Sequence, residues 1–202
     1  MKTKFKHILV ILCLSMISCE GNLEPELFDQ ITPENFLTNE DDVKTAVTGV
    51  YAEFRGISEW GRYKTSWGSV MTLQEVPTDL WAANWFYKAH TDFMWKATDY
   101  FVCEIFEFFV PAITKATALI ARIQDAPVSD DIKNRYIAEL RVVRALWMYD
   151  LFDLYGPVPA ITDPEKILNP TQDFTVTRPS REEYITFVET ELKEVINAKI
   201  LP

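Results

Sequence analysis

The sequence is poor in the residues on which most enzyme sites depend, with two histidines, three cysteines and six glycines among 202 residues. A nucleophilic triad needs an imidazole base, and His90 is the only histidine after residue 18. The chain also lacks a Gly-x-Ser-x-Gly turn, a histidine and cysteine cluster at zinc spacing, and a glycine-rich phosphate loop. These absences argue against an enzyme, and no metal or other cofactor is expected.

Two groups of residues remain as candidates for catalysis, and the sequence favours another role for each. His90 lies beside Lys88 and is interpreted as a solvated side chain rather than a base. The acidic run at residues 40–42 suggests acid/base or calcium chemistry at first sight. It directly precedes a helical pattern, however, where acidic side chains favour the positive end of the helix dipole. We therefore expect these acids to stabilise a helix.

The first eighteen residues have the pattern of an export signal. Three lysines form a basic start, and residues 8–17 form an apolar run that is shorter than the roughly twenty residues needed to span a bilayer. The next feature is the sequence MISC at residues 16–19, which resembles the lipobox of bacterial lipoproteins. That resemblance implies cleavage before Cys19 and acylation of this residue, for example with palmitate. The alternative is an ordinary secretory signal with an incidental cysteine.

Cysteine usage and charge agree with an exported acidic domain. Cys13 lies in the predicted signal and Cys19 at the predicted anchor, so Cys103 alone remains and no internal disulfide is expected. Cys103 lies in an apolar run and is predicted to be a small buried hydrophobe. Loss of residues 1–18 removes three lysines and no acid, which changes the formal net charge from −10 to −13. Such a surface disfavours nucleic acid as a partner.

Composition predicts one folded domain behind a short tether. Residues 1–18 are the predicted signal peptide, residues 19–31 a lipidated acidic tether, and residues 32–202 the domain. Hydrophobic residues make up 48% of the chain, which is enough for one core but hardly for two.

Helical hydrophobic periodicity recurs along most of this domain. The patterns cover residues 43–54, with a start at Thr32-Pro33 or at Thr38, then residues 101–123, residues 136–154 and residues 184–196. The third pattern is apolar on most sides, which predicts a central position in the core. Short turns between long helices predict an all-α fold of stacked helical hairpins of the tetratricopeptide kind, although the signature spacing of that repeat is absent.

Local signals predict where the later helices begin, bend and end. Pro111 marks either a kink in the second pattern or the start of a separate helix. Gly156-Pro157 should end the third helix, because glycine followed by proline is typical of helix C-termini. Ser180 and Glu183 have the spacing of a capping box at the start of the last helix.

Residues 56–98 differ from the rest of the domain, because glycines interrupt any periodicity. Five of the six tryptophans gather there, namely Trp60, Trp67, Trp81, Trp85 and Trp95. We interpret this stretch as an irregular, aromatic-rich insertion with short helices.

The same insertion contains the candidate ligand site. Sugar rings rest their apolar C–H faces on aromatic rings, while their hydroxyls need polar partners. The residues that offer this combination are Asp79, Trp81, Asn84 and Trp85, with Trp60 and Tyr63 upstream. The alternative is that these aromatic residues pack onto the helices, although at least one tryptophan is expected to be exposed.

Charged residues occur on the most apolar helical pattern at Glu139, Arg141 and Arg144. A charge buried on such a helix must be paired. We therefore predict a buried structural ion-pair network, with ligand binding as the alternative.

Residues 139–162 (ELRVVRALWMYDLFDLYGPVPAIT) are similar to a segment of the SusD/RagB family of nutrient-binding outer-membrane lipoproteins. The family pattern there is Glu-x-Arg-x-x-Arg-Ala, an aromatic helix and then Tyr/Phe-Gly-x-Val-Pro. The matching residues are Glu139, Arg141, Arg144, Ala145, Tyr155, Gly156, Val158 and Pro159. The lipobox, residues 31–55, Thr78-Asp79 and residues 178–196 follow in the family's order.

The chain departs from the family pattern at two points. It has Ala116-Thr117 where family members often carry an asparagine in the helix before the turn. Family members also run to several hundred residues, so we expect residues 32–202 to be an incomplete helical domain. Either a longer gene product or a truncated relative would explain this, and part of the ligand site would then be absent.

The resemblance implies a SusD-like α-α superhelix that captures an oligosaccharide, or a peptide, without cleaving it. It also implies a lipid anchor in the outer membrane, exposure at the cell surface, and a SusC-like TonB-dependent transporter as partner. Two alternatives from other classes are a helical protein-interaction module without a small ligand and, less favoured by the residue inventory, an envelope hydrolase.

Overall fold

The computed structural model describes residues 36–54, 70–81, 87–168 and 175–201, and every regular element among them is an α-helix. The helices are α1 (Glu40–Ala52), α2 (Val70–Glu75), α3 (Lys88–Thr91), α4 (Tyr100–Asp125), α5 (Asp130–Tyr155), α6 (Pro164–Leu168) and α7 (Arg181–Ala198). The chain divides into two compact units, Met1–Phe36 and Leu37–Pro202, and all of these helices lie in the second. The predicted all-α class with packed helical hairpins is confirmed.

Helix α1 begins at the second of its two predicted starts. Asn39, one residue after Thr38, is the N-cap, and its side chain accepts a hydrogen bond from the backbone N–H of Asp42 at 3.0 Å. The Asp42 carboxylate accepts in return from the backbone N–H of Thr38 at 2.9 Å and from its hydroxyl at 2.7 Å. These hydrogen bonds lower the pKa of Asp42. The acids at residues 40–42 therefore stabilise a helix start, as expected, and the Thr32-Pro33 start lies outside the described residues.

Helix α4 is continuous from Tyr100 to Asp125 with Pro111 inside it. Of the two alternatives predicted at Pro111, the start of a separate helix is therefore wrong. Proline removes one backbone hydrogen bond from a helix. Pro111 itself is exposed, while Phe109 and Ile113 on either side are fully buried at 0% exposure. We attribute the continuity of the helix to this buried face, which extends through both halves.

Helix α5 is the centre of the fold, because it packs against α1, α2, α4 and α7. Its Trp147 is fully buried, with ring centroids 5.1 Å from Phe54 and 6.3 Å from Phe109 of α4. The pattern at residues 136–154 was predicted to be apolar on most sides, but Tyr149 within it is 57% exposed, so the buried face of α5 is narrower than predicted. The helix ends as predicted at Gly156, whose φ of +73° favours glycine.

Helix α7 begins with the predicted capping box. The Glu183 backbone N–H donates to the Ser180 hydroxyl at 3.1 Å, and the Ser180 backbone N–H donates to the Glu183 carboxylate at 2.7 Å. Tyr184 is buried, and its hydroxyl donates to the Met148 carbonyl of α5 at 2.9 Å. Ile196 was expected on the apolar face but is 70% exposed.

The predicted ion-pair network exists between α5 and α7. Arg144 is buried and pairs with Glu191, which also accepts from the Arg141 Nε at 2.8 Å. Arg141 extends the network to Glu194. Glu139 does not belong to it, because its carboxylate pairs with Arg135 at 3.4 Å and accepts from the Tyr51 hydroxyl at 3.1 Å.

Candidate functional site

The part of the predicted site that the structure describes is the turn after α2. Thr78 shapes this turn: its hydroxyl donates to the Glu75 carbonyl at 2.6 Å and accepts from the Leu80 backbone N–H at 3.3 Å. Asp79 is exposed beside it. Trp81 follows with 42% of its surface exposed, and Leu80 is 81% exposed. The turn therefore presents an aromatic ring and a carboxylate to solvent.

The other residues of the predicted site lie outside the described residues. These are Trp60, Tyr63, Asn84 and Trp85, together with the predicted lipidation residue Cys19. The grouping of all six site residues consequently stays a prediction. The expectation that at least one tryptophan is exposed is confirmed by Trp81 and by Trp95, which is 40% exposed.

A second set of exposed rings follows α3, and the sequence argument did not assign it to the site. Phe93 is 66% exposed, Tyr100 is 64% exposed, and the ring centroids of Phe93 and Trp95 lie 5.6 Å apart at an interplanar angle of 42°. Lys88 and Asp92 form an exposed ion pair at 2.6 Å in the same segment. Residues 88–100 therefore expose both aromatic rings and polar groups. The high density of aromatic residues in this stretch is the sequence signal that could have identified it as a candidate site.

His90 is positioned differently from the sequence prediction. It was expected to be solvated, but only 4% of its surface is exposed. Its ring stacks on Trp95 with centroids 6.0 Å apart and meets Phe101 edge-on at 5.5 Å. Burial lowers the pKa of His90, and the nearby charge of Asp99 opposes this shift. The packing of the His90 ring against Trp95 and Phe101 therefore removes it from the solvent that its position beside Lys88 had suggested.

Cys103 is also less buried than predicted. It is half-buried in α4, and its Sγ donates to the Ala97 carbonyl at 3.1 Å. The thiol therefore helps to fix the segment between α3 and α4 rather than filling the core.

The described part of the chain has neither a candidate metal site nor a helix that could span a membrane. Within it, no group of three histidine, cysteine, aspartate or glutamate side chains has an arrangement that could hold a metal ion. Each helix in the same residue ranges is too short or too polar to cross a bilayer.

Comparison with known proteins links this helical scaffold to one group. SusD-like protein P38 of Formosa agariphila is 25% identical over 203 residues, which cover 95% of this chain and 37% of the relative. SusD-like protein P25 of the same organism is 24% identical over 81% of this chain and 32% of its own length. A crystal structure of a SusD-like protein from Bacteroides fragilis superposes with a TM-score of 0.63 at 22% identity, covering 88% of this chain and 32% of that one.

The chain is SusD-like. It spans about a third of the length of the relatives that it matches, which fits the N-terminal portion of a SusD-like protein. A second solved structure superposes on 79% of the chain with a TM-score of 0.62 at 19% identity. The superpositions establish a SusD-like helical fold. No family model matches the chain.

Proposed function

We propose that this SusD-like chain belongs to a cell-surface lipoprotein that captures an oligosaccharide and passes it to a SusC-like TonB-dependent transporter. The observation that carries the proposal is the set of exposed aromatic rings at residue 81 and at residues 93–100 of a SusD-like scaffold. Trp81, Phe93, Trp95 and Tyr100 present rings to solvent there. Such rings suit the apolar faces of sugars, and bound sugars bury large apolar areas on them.

Polar groups around the rings support a hydroxylated ligand over a purely apolar one. Asp79 is exposed two residues before Trp81, and Lys88 at the start of α3 pairs with Asp92 just after its end. Sugar hydroxyls donate to carboxylates and accept from ammonium groups. Asn84 and Trp85 fall between these two regions in sequence, so we propose that they complete the site together with Trp60 and Tyr63.

The protein binds its ligand without chemical turnover in this proposal. His90, the one candidate base among the described residues, lies within an aromatic cluster that it forms with Trp95 and Phe101. Capture and transfer need affinity and release, which exposed rings supply. The lipid on Cys19 would hold the protein at the outer membrane, because each buried methylene contributes about 0.8 kcal/mol.

Calorimetric titration of the full chain with a panel of oligosaccharides tests this proposal. The Trp81→Ala and Trp85→Ala variants should each weaken binding about tenfold or more, the loss expected for a ring at the centre of a binding site. Tyr149→Ala is the matched control, because Tyr149 is a comparably exposed ring on α5 outside the site. Equal binding by all variants would remove these tryptophans from the site, and failure of every oligosaccharide to bind would contradict the glycan function.

A peptide ligand, as in RagB-like members, is the second candidate. A cleft of about 250 Å³ lies between the segment after α5 and the start of α7, lined by Ile161, Val176 and Phe187 with Lys166 at its edge. Residues 175–180 beside it have no regular secondary structure, and all of them except Pro179 are exposed, so this segment is accessible to a peptide. Peptide binding that Val176→Asp abolishes and Trp81→Ala leaves unchanged would favour this function over glycan capture. A stable partner captured from membranes, with affinity for neither ligand, would instead favour a protein-interaction module.

A further inference from the structure

A cavity lies where α2, α3, the start of α4 and the end of α5 meet. Its volume is about 360 Å³, and its lining includes Leu73, Pro77, His90, Trp95, Val102 and Tyr155. An apolar cavity of roughly 150 Å³ is large enough to hold benzene. The space is therefore sufficient for a ligand of one or two fused rings.

His90 is a buried polar side chain of the cavity wall, and its ring nitrogens lack hydrogen-bond partners within the described part of the chain. It is 96% buried, since only 4% of its surface is exposed, and neither ring nitrogen has a hydrogen-bond partner among the described residues. Buried polar groups in folded proteins are nearly always hydrogen-bonded, and an unpaired one destabilises the fold. Burial also keeps the imidazole neutral, because it lowers the pKa of His90. A neutral imidazole has one nitrogen that donates and one that accepts.

The rest of the lining restricts the chemistry of the ligand. Leu73, Pro77 and Val102 are apolar, and the Tyr155 hydroxyl already donates to the Val102 carbonyl at 2.7 Å. A sugar has hydroxyls on every side, and those that face Leu73, Pro77 and Val102 would lose their hydrogen bonds. A mostly apolar ring with a single polar group fits better, because His90 is the described lining residue whose buried side-chain atoms lack a hydrogen-bond partner.

We propose that this cavity binds a small aromatic alcohol, whose ring packs against Leu73, Pro77 and Val102 and whose hydroxyl hydrogen-bonds to His90. A hydroxyl both donates and accepts, so it satisfies either imidazole nitrogen once the ring turns toward the cavity. Trp95 is the point of entry, because it lines the cavity, stacks on His90 and is 40% exposed. This site goes beyond the proposed glycan surface and shares only Trp95 with the described part of it.

Phenol and toluene are the probes for this site, since they match in size and differ in the hydroxyl. Both should bind the full chain in calorimetric titrations. His90→Phe keeps a planar ring and removes both nitrogens. It should lower the ratio of phenol affinity to toluene affinity about fivefold, the factor expected for one net neutral hydrogen bond. An unchanged ratio, or no binding of phenol to the unaltered chain, would overturn the proposal.

A matched variant and a direct measurement complete the test. Tyr155→Phe removes the other hydroxyl of the lining and should leave the ratio unchanged, because that hydroxyl is engaged by Val102. If Tyr155→Phe lowers the ratio instead, phenol binds to Tyr155 and the role of His90 is wrong. In the unaltered chain, phenol but not toluene should shift the imidazole ¹⁵N resonances of His90. The only other histidine is His7, so a His7→Asn variant assigns the signals, and unshifted resonances would contradict the proposal.

Discussion

The guanidinium of Arg144 and the carboxylate of Glu191 join the central helix α5 to the last helix α7 inside the protein. Arg144 is 5% exposed and Glu191 is 7% exposed, and the Arg144 Nε donates to Glu191 at 3.1 Å. The Arg144 Nη1 also donates to the Thr117 hydroxyl of α4 at 2.9 Å. The guanidinium on α5 therefore contacts both α4 and α7, and its charge is neutralised where water has little access.

Removal of one partner from this pair should destabilise the fold strongly. Arg144→Met leaves the Glu191 carboxylate buried with Arg141 as its remaining partner. We expect the free energy of unfolding in urea to fall by about 3–5 kcal/mol, as found when a buried ion pair loses one member. The double variant Arg144→Met with Glu191→Leu should recover much of this loss. Arg135→Met is the control, because the Arg135–Glu139 pair is largely exposed on the arginine side and should contribute less than about 1 kcal/mol. A loss at Arg144 no larger than at Arg135 would contradict the structural role.

The capping box of α7 should make stability depend on pH. Hydrogen bonds with Ser180 lower the pKa of Glu183 below its ordinary value of 4.5. A carboxylate whose pKa is lowered in the folded state contributes stability above about pH 4.5, and this contribution is lost as the pH falls through the lowered value. Urea unfolding between pH 6 and pH 2.5 should therefore show a steeper decline for the unaltered chain than for Glu183→Gln. Glu182→Gln makes the same charge change without the box contacts, so it should keep the steep decline.

The same cap predicts the effect of removing the serine. Ser180→Ala leaves the Glu183 backbone N–H without its side-chain acceptor, and the unfolding free energy should fall by about 0.5–2 kcal/mol. Thermal unfolding followed by circular dichroism measures this loss. A variant as stable as the unaltered chain would show that the start of α7 is held by packing alone.

Two glycines should respond to alanine in opposite directions. Gly156 has φ +73° and ψ −159°, a region that is essentially restricted to glycine, so Gly156→Ala should cost about 1–3 kcal/mol. Gly49 lies exposed inside α1, and a Cβ there would meet nothing within 4 Å. Gly49→Ala should stabilise the protein by about 0.5–1 kcal/mol, because alanine has less freedom to lose on helix formation. Urea titrations of both variants measure the difference, and losses of equal size would contradict the backbone argument.

The proposed anchor predicts that substitutions of Cys19 and of Cys103 have different effects on lipidation and membrane attachment. Cys19→Ala should abolish incorporation of labelled palmitate and release the protein from the membrane fraction, because the proposal places all of the lipid on this residue. Cys103→Ala should keep both properties, since Cys103 lies in α4. Membrane association that persists without Cys19 would require another means of attachment.

Helices and their ends were the best predicted features, because their signals are local. Gly156 and the Ser180–Glu183 box lie where the sequence places them. Local signals could not predict that α4 continues through Pro111, because this continuity depends on the burial of one helix face against other helices. The role of Thr117 was likewise not predictable from local signals, because the sequence marks it only as a departure from a family pattern. Its role as an acceptor for Arg144 follows from the packing of α4 on α5.

Side-chain environments in the aromatic-rich stretch were harder to predict than helices. The composition indicated exposed tryptophans, and Trp81 and Trp95 agree with this. It did not separate His90, which is buried, from Phe93, which is exposed three residues later. Burial in an irregular segment depends on contacts with distant elements such as α2 and the end of α5, and no periodic pattern reports these contacts.

The hairpin of α4 and α5 has a consequence for the order in which the molecule assembles. Both helices have 26 residues, they are adjacent in sequence, and they share the most extensive helix interface of the described residues. Closing a short connection costs little chain entropy, so a pair of neighbours forms quickly. Helix α7, which neutralises Arg144, begins more than thirty residues after it in the sequence. Until α7 docks, the Arg144 guanidinium of the hairpin lacks its carboxylate partner Glu191. We therefore expect the docking of α7 to complete the folding of the described helices.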